Sequence, residues 1–116
     1  MTKPITYEET HIEVPLIVAE LLQRGQRPIF TYELQNMIRL YWERNDVKKS
    51  ISPDRIRIMI NHIRRNEILP VMSGNKGYWL AKEKSECILM AELLEMRCSA
   101  ITAAASGLRS YAKKIK

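Results

Sequence analysis

Residues 70–81, PVMSGNKGYWLA, decide how the rest of the chain is read. Leu69 and Val71 alternate with Pro70 and Met72, SGNKG supplies a glycine-flanked turn, and Tyr78, Trp79 and Leu80 return, so the stretch reads as a small β-hairpin with Lys76 at its tip. A lone two-stranded hairpin is marginal in water. It needs neighbours to pack on, and the segments around it have helical period.

Immediately upstream, SPDRIRIMINHIRRN (residues 52–66) carries three agreeing start signals: Ser52 as N-cap, Pro53 at the first helical position and Asp54 in the positive first turn. At 100° per residue, Ile56, Met59, Ile60 and Ile63 fall in one stripe that must face a core. Further upstream, Val14, Ile17, Val18, Leu21 and Leu22 mark a first helix closed by Gly25. RPIF (residues 27–30) is β-prone, and Thr31 is a candidate N-cap for a second helix with Leu34, Met37, Ile38 and Tyr41 on one face. ERNDVKKS (residues 43–50) is a polar loop, and the first twelve residues, without a clear period, read as an N-terminal arm.

The order helix, short strand, helix, helix, hairpin resembles the winged helix-turn-helix over residues 13–82, and is most similar to small winged-helix proteins of phages and bacteria. SPDRIRIMINHIRRN followed by a glycine turn and GYWLA carries the resemblance. It implies a mostly α fold with a small β-hairpin (α+β), the hairpin (residues 69–81) being the wing. It also implies double-stranded DNA binding, with helix 52–66 in the major groove and the wing on the flanking backbone. The loop before that helix is longer than the tight turn of a plain helix-turn-helix.

The charge distribution points the same way. Of 116 residues, 46% are hydrophobic and the net charge is +6. Between Lys48 and Lys82 eight bases face two acids, Asp54 and Glu67, so that segment holds the entire excess and the remainder sums to zero. A basic segment in a neutral chain suits a polyanion, against the plainer reading of a solvated face. Opposite the apolar stripe, Arg57 suits a guanine, Asn61 an adenine and Ile58 a thymine methyl, with Arg65 further along the same side. Lys49, Ser52, Arg55, Arg64 and Lys76 occupy the helix flanks and wing tip, where phosphate contacts are expected.

From Ser85, a candidate N-cap, the remainder (domain 83–116) reads as one long helix. Cys87, Leu94, Ile101, Leu108 and Ile115 recur every seven residues, and Ala91, Cys98, Ala105 and Ala112 lie between them. Large alternating with small at heptad spacing is a seam for close helix pairing, hence an expected homodimer, with a protein partner as the other use of the surface. Cys87 and Cys98 lie about 16 Å apart along such a helix, too far to bridge, so free thiols in a reducing, cytoplasmic compartment are expected; the resemblance implies that the cell is bacterial or phage-infected.

No catalytic set is nominated: His11 and His62 form no local ligand motif with the cysteines, and SGNKG is not a phosphate-binding loop. No enzyme activity, metal, cofactor or membrane span is expected. The reading is a sequence-specific DNA-binding protein serving transcription or replication, against a protein-interaction adaptor that uses the same fold without DNA.

Overall fold

The computed structural model describes residues 3–115, in the order α1 (Val14–Arg24), α2 (Thr31–Arg44), α3 (Pro53–Arg65), β1 (Val71–Gly74), β2 (Gly77–Leu80) and α4 (Lys84–Ala112). It is mostly α with one antiparallel hairpin. The chain divides into two compact units at the Lys82–Glu83 junction.

In the first unit, α3 forms for the reasons its sequence announces. The Ser52 hydroxyl accepts the Arg55 N–H at 3.3 Å, Pro53 occupies the first turn, and Ile56, Met59, Ile60 and Ile63 are fully buried. They meet Ile17 and Leu21 of α1, Leu34, Ile38 and Trp42 of α2, and Val71 and Leu80 of the hairpin in one core. Leu22, on the edge of the expected α1 face, is exposed instead, and Val14 completes the stripe.

The hairpin is anchored rather than free. Val71 pairs with Leu80 and Gly74 with Gly77, leaving Asn75 and Lys76 as the turn. Ile29, from the short β-prone piece, bridges to Tyr78 through two N–H···O bonds of 2.8 Å each. The approach is close enough that a Cβ on Gly77 would sit 2.1 Å from the Ile29 carbonyl oxygen, and Gly77 has φ +99°, so both space and conformation demand glycine.

Three expectations about element ends are corrected. Thr31 is the first residue of α2 and Phe30 holds the cap position, because the bridge fixes Ile29 as extended and the Glu33 carboxylate reaches back to the Phe30 N–H at 3.0 Å. Likewise α4 begins at Lys84 rather than being capped by Ser85, with Glu86 accepting the Glu83 N–H at 3.3 Å. The expected N-terminal arm is helical from Tyr7. Thr6 and Glu9 form a reciprocal capping box, with N–H···O distances of 2.9 and 3.1 Å. Between Glu9 and Glu13 the helix widens to a π-helical turn in which the Val14 N–H reaches the Glu9 carbonyl. Pro15 follows directly; it has no N–H to give and its ring crowds the carbonyl four residues back, which the wide turn accommodates.

The second unit is α4 itself. It runs through Gly107 without a break, and none of its residues is buried. Ile101, Leu108, Tyr111 and Met96 are each more than 60% exposed, which is unusual for so many large apolar side chains on one helix.

Candidate nucleic-acid interface

The buried stripe of α3 fixes what its opposite side presents. Arg57, Asn61 and Arg65 are exposed there, with Ile58 half-buried beside them. Arg57 pairs with Asp54 one turn back at 2.7 Å, a contact between two well-exposed side chains that costs little to open. Asn61 is held by a hydrogen bond: its Oδ1 accepts from Arg64 Nη1 at 3.2 Å, which leaves a second lone pair on that oxygen and both amide N–H donors for another partner. His62 lies at the edge, held by Asn66 at 3.3 Å.

Two of the five expected phosphate ligands are engaged inside the protein. Arg64 donates from Nε to the Val71 carbonyl at 2.8 Å and from Nη2 to Ser73 Oγ at 2.9 Å, so it ties α3 to β1. Arg55 forms a bidentate pair with Glu9, through Nε to Oε2 at 2.9 Å and Nη2 to Oε1, and also donates to the Lys3 and Pro4 carbonyls. Its charge is spent on holding the N-terminal helix against α3. Burial raises the Glu9 carboxyl, but the Arg55 and Thr6 hydrogen bonds and the Arg55 charge outweigh it and hold Glu9 below the usual carboxylate range. Ser52 is exposed and acts as the cap. Lys49 and Lys76 remain exposed, on the loop before α3 and at the hairpin tip, and form no ion pair among the described residues; Lys48 is placed like Lys49.

Beside α3's first turn lies a groove of about 610 Å³ lined in part by Glu9, Glu13, Trp42, Lys49, Ser50 and Arg55. Glu13 is only 3% exposed and its Oε2 has no hydrogen-bond partner. Burial pushes its pKa up, against the opposing pull of the Lys49 charge and the Trp42 indole N–H. The sequence reading missed both the Glu9–Arg55 pair and Glu13. Thr6-Tyr7-Glu8-Glu9 carries the capping-box signature that would have extended the first helix and brought Glu9 into view.

The hairpin aromatics are used in packing. Tyr78 packs on the core and makes the bridge, and the Trp79 ring lies 3.2 Å from where a Gly74 Cβ would stand. Cys87 and Cys98 are free thiols, no three metal-ligating side chains gather among the described residues, and no described helix is long and apolar enough to cross a membrane. Comparison with protein-family models, curated proteins and solved structures finds no match.

Proposed function

We propose that the chain is a dimeric winged helix-turn-helix protein that binds double-stranded DNA sequence-specifically, as a regulator or a replication-associated origin binder in a bacterial or phage-infected cell. The observation that carries the reading is the outer side of α3: Arg57, Asn61 and Arg65 exposed along one line, directly opposite four fully buried apolar residues. A helix so presented suits a major groove, with Arg57 and Asn61 toward base edges. The phosphate set is smaller than sequence alone suggests. Lys48, Lys49 and Lys76 serve there, while Arg55 and Arg64 position the helix that reads. Selection of bound duplexes from a random pool tests this, since enrichment of a motif is the expected result and uniform recovery is the result against it.

The exposed apolar surface of α4 favours a second reading, an adaptor that engages a protein partner through that helix with the basic face solvated. Weak, sequence-independent binding that vanishes at moderate salt is the outcome that selects it.

A further inference from the structure

The size and charge patterns of α4 bear on how two copies would meet. Large residues (Leu94, Ile101, Leu108) and small ones (Ala91, Cys98, Ala105) alternate along the seam. In a parallel, in-register pair each position faces itself, so layers of two large side chains alternate with layers of two small ones, alanine at 91 and 105 and cysteine at 98. A straight pair of helices cannot follow both spacings, and the small layers are left under-packed. In an antiparallel pair each large position faces a small one, and a single close spacing suits every layer.

Charge agrees independently. Residues 83–95 hold Glu83, Glu86, Glu92 and Glu95 against Lys84, a net of 1 minus 4, or −3; residues 97–115 hold Arg97, Arg109, Lys113 and Lys114 and no acid, or +4. Parallel pairing sets like ends together, whereas antiparallel pairing sets acidic against basic at both ends and opposes the helix dipoles. Glu92, Glu95, Arg109 and Lys113 share one flank of the seam, so the acidic pair on one copy meets the basic pair on the other. In a parallel pair Glu95 and Arg109 would face Met90 and Ala104.

We infer that α4 pairs antiparallel with α4 of a second copy about a two-fold axis between Ser99 and Ala100, with Leu94 packed on Ala105, Cys98 on Ile101 and Ala91 on Leu108. This rests on the dimeric part of the reading above and commits it to one topology. The first units then leave the paired helices at opposite ends.

Crosslinking of the full chain tests it, in a Cys87→Ser, Cys98→Ser background. In the inferred register Leu94 lies beside Ala105 of the second copy but about 16 Å along the axis from its own counterpart. A mixture of Leu94→Cys and Ala105→Cys chains, equilibrated and then oxidised, should form the mixed disulfide, while either chain alone should not. Glu95→Cys mixed with Thr102→Cys repeats the test at exposed positions where packing is not at stake. Self-linking of each chain alone would overturn the antiparallel topology and leave the dimer standing. Wild-type protein that sediments as a monomer at micromolar concentration would remove the dimer itself, and DNA selection then still reports on the first unit.

Discussion

Glu13 is buried with one oxygen unpartnered, and its carboxyl titrates above the usual range because burial disfavours the charge more than the Lys49 charge and its hydrogen bonds favour it. The stability that a neutral Glu13 allows is complete below the ordinary carboxylate value of 4.5 and is lost as pH rises through its elevated folded value. Glu9 works in the opposite sense: its folded pKa is lowered, so its contribution is present above 4.5 and fades as pH falls through the folded value. Urea unfolding should show Glu13→Gln more stable than wild type at neutral pH, with the advantage shrinking toward pH 4.5. An advantage that is independent of pH would mean that packing rather than charge is responsible. A second residue-scale prediction concerns Glu67, at φ 55° just past α3, where the Ile68 N–H reaches the Ile63 carbonyl at 3.0 Å. Glycine adopts that conformation without the side-chain clash, so Glu67→Gly should stabilise by about 0.5–1 kcal/mol in the same assay. Neither site was legible in the sequence. The turn after α3 lacks the glycine that usually announces it, and Glu13 is a charged residue where the helical period leads inward.

At the scale of elements, α3 was the most legible part of the chain because its cap, proline, first-turn acid and apolar stripe all agree, and all four hold in the structure. What could not be read were the partners of its basic residues. Arg55 and Arg57 look alike in sequence, yet one is clasped by Glu9, 46 residues away, and the other lies in solvent beside Asp54. The two should therefore separate by assay. Arg57→Ala and Asn61→Ala should each cost about 1–3 kcal/mol on a selected duplex and relax base preference, with helical content kept. Equal losses on selected and random duplexes would leave only charge at that surface. Arg55→Ala should instead lower the unfolding midpoint and loosen the N-terminal helix, seen as faster amide exchange around Glu9. For the hairpin tip, Lys76→Ala should weaken binding to all duplexes alike and reduce the salt slope by about one unit. An unchanged slope would confine the hairpin to closing the core.

At the scale of the whole molecule, the proposed dimer makes DNA affinity depend on assembly. Leu94→Glu with Ile101→Glu should yield monomers, because an apolar seam cannot desolvate four carboxylates without partners. The same change should cost far more affinity on a palindromic duplex than on a half-site, because two linked reading helices gain from effective concentration. Sedimentation checks the first outcome and titration on the two duplexes the second. The helical length of α4 was legible from its heptads, although its start lay one residue away from the expected cap. The Ile29–Tyr78 bridge carries a further consequence, for the order in which the first unit assembles. It joins residues 49 positions apart, 78 minus 29, across both α2 and α3. Closing so long a loop is costly until those helices are docked, so the hairpin cannot gain its third strand early. Pulse-labelled exchange during refolding should protect the amides of α3 before those of Ile29 and Tyr78, and Gly77→Ala, which blocks the bridge, should speed unfolding far more than it slows folding.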